Sequence, residues 1–253
     1  MIVEVTENNF ILEEILCYPA HLSSPTIFRR RVRELHKLGV RYLFLSGRTQ
    51  IGKFHVLGKG CTSIVVLALY GRKLCTLKVR RLDANRPDML KEAENLKLVN
   101  VLGIGPMLIK YSENYILLEF IDGLEILKWS QICTSPYVFK KVLSILLKQC
   151  YILDKYSIYH AELSNLKDHI IICSKTNRPV IIDFETVSLG SKRKVLPAVI
   201  QNFVFKDWFL KYKYEEMVGK VDKAKLLAKL KEYKKNPSSA FSELYSLLLC
   251  SKA

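Results

Sequence analysis

Apolar positions along the chain follow two different periods. Between residues 41 and 121 they come in short runs or alternate with polar residues, the signature of strands. Arg41–Leu45, Phe54–Leu57, Val66–Tyr70, Leu74–Val79 and Tyr115–Ile121 read this way. From residue 137 onward they recur every three or four residues. Val138, Val142, Ile145, Leu146, Gln149, Ile152 and Leu153 predict one long buried helix between Tyr137 and Tyr159. Further helices are expected near 198–213, 214–233 and 237–250. At the other end, Asn9–Leu16 has helical spacing and Pro19 closes it. Ser23-Ser24-Pro25 then opens a second helix that runs to Leu38, with Gly39 beyond its end. A lone amphipathic helix, Asp88–Leu98, interrupts the strands. Ile170–Cys173 and Pro179–Ile182 read as a hairpin around Lys175–Arg178. The expected class is α+β, in three parts: a small helical extension over 1–50, a β-rich part with one helix over 51–122, and a short, mainly helical part over 123–253.

Composition narrows the class of protein. Of 253 residues 49% are hydrophobic, enough for a sizeable core, yet no stretch reaches the ~20 apolar residues of a membrane span. Met1–Val5 has no basic region ahead of an apolar run, so no secretory leader is expected. The seven cysteines form no CxxC pair, which argues against a zinc site and for free thiols in a reducing cytoplasm. The net charge of +16 favours polyanionic partners, or describes a lysine-rich solvated surface. The bias is strongest from Lys192 to Lys235, with 13 Lys and Arg against 5 acids, a stretch suited to RNA, a ribonucleoprotein or an acidic protein face. The Arg29–Arg33 run is either a solvated helix face or a phosphate contact.

Candidate chemistry sits at a few points in this pattern. Gly58-Lys59-Gly60 lies between two strands, so it is no dinucleotide fingerprint. It suits a hairpin whose backbone N–H groups close over phosphates. Lys78 stands inside an apolar strand, where a lysine is costly unless paired. Glu92 lies near the apolar side of the following helix and is its candidate partner. Farther on, His160-Ala161-Glu162-Leu163 and Ile182-Asp183-Phe184-Glu185 place two acidic clusters beside hydrophobic runs, and the hairpin would hold Glu162 and Asp183 at neighbouring ends of one small sheet. Convergent carboxylates in a cationic chain suggest metal-assisted chemistry on an anionic substrate.

In this order and spacing, the motifs over residues 50–190 resemble those of the protein-kinase-like superfamily, in particular the small atypical Ser/Thr kinases of archaea near the RIO and KEOPS-associated kinases. The resemblance implies a bilobal fold with ATP and Mg²⁺ in a cleft between a β-rich N-lobe and a reduced helical C-lobe. It implies that Gly58, Gly60 and Ser63 form the phosphate loop, Ser63 replacing a glycine, with Val65 below the adenine. Lys78 would grip the α- and β-phosphates and Glu92 orient it. Leu118 would be the gatekeeper, the backbones of Glu119 and Ile121 would meet the adenine edge, and Ile171 would complete the nucleotide set. Glu162 takes the place of the catalytic aspartate and Asp183 that of the metal-binding one, with Glu185 in a glycine position as a further carboxylate. The second metal ligand is ambiguous. Direct spacing puts Lys167 there; alignment on the next strand puts His169 there, with Asn165 and Asp168 as alternatives.

The resemblance therefore implies an ATP-dependent protein kinase capable of autophosphorylation, acting on an unnamed protein in the cytoplasm. Departures at Ala161, Glu185 and the second ligand position leave room for a pseudokinase or an ATPase switch that binds RNA or a protein through the basic C-terminal region. Small-molecule phosphotransfer uses the same motifs but a larger acidic acceptor lobe, which the sequence lacks. No Ala-Pro-Glu segment follows Glu185.

Overall fold

The computed structural model describes residues 1–249; Cys250, one of the expected free thiols, lies outside the described residues. The chain is α+β, with a β-rich N-terminal part and a helical C-terminal part. It divides into two compact units, the first comprising residues 1–100 and 106–121, the second 101–105 and 122–253.

The first unit contains β1 (Ile2–Glu4), α1 (Glu13–Leu16), α2 (Pro25–Leu38), β2 (Val40–Phe44), β3 (Thr49–Ile51), β4 (Phe54–Val56), β5 (Gly58–Lys59), β6 (Ser63–Tyr70), β7 (Lys73–Arg80), α3 (Leu90–Val101), β8 (Leu108–Tyr111) and β9 (Tyr115–Glu119). Its main sheet is antiparallel with order β1-β2-β6-β7-β9-β8, and β5 adds to β6. Residues 1–50, read in the sequence as a helical extension, lie inside this unit and supply two strands of its sheet. α2 begins where the sequence places it. Ser24 Oγ accepts from the Ile27 amide, Pro25 occupies the first turn, and Gly39 ends the helix at φ +86°. One face of the sheet (Ile64, Val66, Ala68, Cys75, Leu77, Val79, Tyr115, Leu117) packs with Leu12, Ile15, Leu16, Phe28, Val32 and Leu35 into a dry core.

Within that core is a cation. Arg31 is 2% exposed. Its guanidinium donates to the carbonyls of Leu16 and Arg80 and, at 3.1 Å, to Asn114 Oδ1. The Arg run is thus not uniform. Arg31, three residues after Phe28 and four before Leu35, shares their buried side, while Arg29, Arg30 and Arg33 are exposed.

The second unit contains β10 (Gly123–Glu125), α4 (Ile126–Ile132), α5 (Pro136–Lys155), β11 (Ile158–His160), β12 (Ile170–Cys173), β13 (Pro179–Ile181), β14 (Val187–Leu189), α6 (Val195–Val204), α7 (Phe209–Met217), α8 (Lys223–Lys235) and α9 (Pro237–Leu249). α5 is the expected long helix, capped by Ser135, and buries Phe139, Val142, Leu143, Leu146, Leu147, Cys150 and Leu153. The expected hairpin is β12–β13, and its turn places Asn177 at φ +54°. The last helices break elsewhere than their apolar spacing suggests. The helix expected over 198–213 stops at Val204, and α7 runs across the expected boundary at 213/214 to Met217; the helix expected over 214–233 begins only at Lys223, because Gly219 turns left-handed at φ +108° and Asp222 caps a new start by accepting from the Lys225 amide. Asp154, buried near the end of α5, accepts from the Val195 and Leu196 amides of α6 and the Tyr233 hydroxyl of α8, tying three helices together. Among the described residues no helix is long and apolar enough to cross a membrane.

Candidate functional site

In the first unit, register decides which residues share a surface. Val65, Lys78 and Ile116 lie opposite one another across β6, β7 and β9, and Thr76 and Leu118 are the next such pair. Directly paired residues point to the same side of a sheet, so Val65, Lys78, Ile116 and Leu118 line the face turned away from the core. Lys78 is 7% exposed and Glu92, on α3, 1%. The Lys78 ammonium donates to Glu92 Oε1, and Arg86 donates to Glu92 Oε2 at 3.0 Å. Two cations on one carboxylate offset the desolvation each ion suffers. Asp88 Oδ1 accepts from the Leu90 amide and starts the helix that carries Glu92.

The glycine loop is held at several points. The Gly60 amide donates to the Ser63 carbonyl (2.8 Å), closing a tight turn. Arg81 reaches back to donate to the Gly60 carbonyl at 2.7 Å, and its own amide donates to the Thr62 carbonyl at 2.9 Å. Lys59 donates to the Tyr18 hydroxyl at 2.5 Å, and Arg81 lies over the Tyr18 ring. Gly58, Gly60, Ser63 and Val65 are therefore gathered at one end of β5 and β6, with Ser63 buried. At the end of β9, the Glu119 amide already donates to the Met107 carbonyl at 2.8 Å, so it is not a spare donor for an adenine edge. Ile121 is the last residue of this unit.

In the second unit the two acidic clusters are joined twice. The β12–β13 hairpin is one link; the other is the pairing of β11 with β14, which sets His160 opposite Val187. His160 leads into Glu162, and Val187 follows Thr186, so this ladder clamps the roots of both loops. Ile171 sits in the middle of β12, opposite Val180 and Glu125.

His160 is 1% exposed, with Nε2 3.2 Å from the Ile182 carbonyl. A carbonyl only accepts, so Nε2 carries the proton, and Nδ1 has no partner among the described residues. Burial pulls the His160 pKa down to about 4, outweighing the Ile182 hydrogen bond and the nearby Asp183 and Glu162 carboxylates. The ring is neutral at pH 7 and packs edge-on against Phe184, 5.1 Å between centroids. It is a spacer and hydrogen-bond donor between the two loops.

Glu162 is on a short 3₁₀ turn, Ala161–Ser164, with its side chain 41% exposed. Its Oε1 accepts from the Thr186 hydroxyl at 3.2 Å, and its Oε2 lies 3.7 Å from His169 Nε2. Thr186 and His169 thus flank Glu162 from the two loops. The extra length of this loop is taken up by a second 3₁₀ turn, Leu166–Asp168, and Leu163 and Leu166 bury completely to anchor it. Of the alternatives for a second ligand, Lys167 has a half-exposed side chain 3.7 Å from Asp168, the Asn165 amide donates to the Glu162 carbonyl, and His169 neighbours Glu162.

Asp183 has φ +68°, a left-handed backbone that few residue types other than Gly, Asn and Asp adopt without strain. It carries its carboxylate to within 4.8 Å of that of Glu185. Carboxylates this close are of the type that oxygen-seeking divalent ions bind. Phe184 between them is fully buried against Gly105. A Cβ at Gly105 would lie 2.8 Å from the Phe184 ring, and Gly105 itself is at φ +80°. Gly105, Thr186 and the β11–β14 ladder are parts of this site that sequence reading passed over. No protein-family model and no curated protein matches the chain.

Proposed function

We propose that the chain is an ATP- and Mg²⁺-dependent phosphotransferase of protein-kinase-like, bilobal type, whose acceptor is a Ser or Thr hydroxyl, its own included. The observation that carries this reading is the buried Lys78–Glu92 pair with Arg86, on the sheet face turned away from the core, in the same unit as a pinned glycine loop. A lysine at 7% exposure, oriented by a carboxylate, is suited to binding phosphate oxygens as a fixed charge. In the second unit, Glu162 would take the proton of the acceptor hydroxyl or orient that hydroxyl, with Thr186 and His169 holding its two oxygens. Asp183 and Glu185 would hold Mg²⁺, which when bound neutralises phosphate charge. Ile171, Val65 and Leu118 would contact the base.

Transfer of labelled γ-phosphate from ATP to a generic protein acceptor, and to the chain itself, tests the reading. Asp183→Ala should lower turnover on the order of 10²-fold or more. Turnover at the wild-type rate in that variant would sink it. Lys167, standing at the direct spacing of a second metal ligand, favours a second reading, a nucleotide-dependent switch that hydrolyses ATP or only binds it. Phosphate release without labelled acceptor, or nucleotide binding with neither, would mark that outcome.

A further inference from the structure

The exposed side of α2 has no role in the proposed chemistry, yet it lines a concavity of about 600 Å³ within the first unit. Arg29, Arg30, Arg33, Glu34 and Lys37 line it from α2, and Ser112 and Glu113 from the turn between β8 and β9. Arg29, Arg33 and Lys37 are spaced i, i+4, i+8, so they form a row with about 6 Å between neighbours. That is the scale of the spacing between successive phosphates along a nucleic-acid strand.

The acids in the wall are already engaged. Glu34 accepts from Ser112 Oγ (2.6 Å), the Asn114 amide (2.8 Å) and Asn114 Nδ2 (2.7 Å). Glu113 accepts from Arg30 at 2.6 Å, and Arg33 pairs with Glu7 outside the concavity. Arg29 and Lys37 make no hydrogen bond or ion pair among the described residues, and both are exposed. Four cations against two acids leave the lining at +2, or +1 with Glu7 counted against Arg33, in a chain whose net charge is +16. Among the described residues its lining is Thr, Ser, Arg, Lys and Glu, with no aliphatic or aromatic residue. A protein partner is usually anchored by apolar or aromatic residues in a desolvated centre; a phosphate backbone is held by charge alone.

We propose that this face of α2 binds the sugar-phosphate backbone of a nucleic-acid strand, through Arg29, Arg33 and Lys37, without reading its bases. The inference does not depend on the phosphotransferase reading. Fluorescence anisotropy of the full chain with labelled 20-nucleotide RNA and DNA strands, over a salt series, tests it. Arg29→Gln/Lys37→Gln removes two exposed charges and leaves the buried Arg31 untouched. This double variant should bind on the order of tenfold more weakly and lose about two from the slope of log affinity against log salt. The matched control, Lys220→Gln/Lys223→Gln, removes two lysines from a smaller concavity of about 220 Å³ in the second unit and should keep the wild-type slope. Binding of either sugar with this pattern supports the proposal. It is overturned if no strand binds at low salt or if the α2 variant keeps the wild-type slope. It is also overturned if polyglutamate competes as well as RNA at equal charge, which would assign the face to an acidic protein.

Discussion

Lys78 and Glu162, the two charged side chains on which the proposed transfer most depends, are held in opposite ways. Lys78 stands mid-strand in the large sheet, its side chain 9% exposed, and its partner Glu92 is fully enclosed. Glu162 stands on a single 3₁₀ turn, its side chain 41% exposed, held by a hydroxyl and an imidazole edge. The first arrangement is built into the packing, because neither ion can lose its partner without leaving a buried charge behind. The second leaves a carboxylate able to reach water and to change partners. A group that fixes a substrate gains from rigidity, while a group that exchanges protons needs contact with what arrives. The contrast also separates folding from chemistry: in the first unit a charge deletion should damage both, in the second chiefly one.

The sharpest way to break that contrast is to delete one charge from each unit. Lys78→Met leaves Glu92 buried beside Arg86 alone and should cost about 3–5 kcal/mol by urea unfolding, together with most phosphate transfer. Glu162→Gln should lose transfer to a similar degree yet unfold near the wild-type urea midpoint, since the Glu162 side chain is 41% exposed and Gln keeps an oxygen that can accept from Thr186. Equal stabilities in the two variants would erase the distinction.

A smaller effect is expected from pH, and it isolates the interior of the second unit. The His160 pKa is about 4 in the folded chain against an ordinary 6.5. Between those values the unfolded chain binds the proton and the folded one does not, so stability rises with pH across the window. The contribution is complete above about pH 6.5 and is lost as pH falls toward 4, a change worth roughly 3 kcal/mol. His160→Gln should unfold with a correspondingly flatter pH dependence between 6.5 and 4. If the variant keeps the wild-type slope, another group is responsible.

The smallest effect expected is at Gly105. Gly105→Ala must displace the Phe184 ring and strain a backbone at φ +80°, which should cost about 1–3 kcal/mol. Loss of stability with unchanged transfer would show that Phe184 packs without positioning Asp183.

What the sequence made legible follows from how local each signal is. A lysine in an apolar strand requires a partner, and helical spacing points to Glu92, so that pairing is readable without coordinates. So is the β12–β13 hairpin, two apolar runs joined by Lys175–Arg178. The β11–β14 ladder is not, because each strand has three residues and the partners, Ile158 and Leu189, are far apart in the chain. Arg31 was hidden by its neighbours: in a run of arginines, charge suggests a solvated face, and only its spacing from Phe28 and Leu35 marks it as inward. The 3₁₀ turns around Glu162 were unreadable for another reason, that a single turn has no period. The contacts of Glu162 with Thr186 and His169 depend on those turns.

Arg31 also bears on the order in which the chain can assemble during synthesis. Its guanidinium needs acceptors from three widely spaced stretches, and the last, Asn114, lies 83 residues downstream. Domains fold as units as they leave the ribosome, and an unsatisfied cation opposes closure of an apolar interior. The first unit therefore cannot close its core around α2 until the turn between β8 and β9 has emerged. A nascent chain whose emerged part stops short of Asn114 should remain open to protease at α1 and α2, and one that has emerged beyond Ile121 should be protected there.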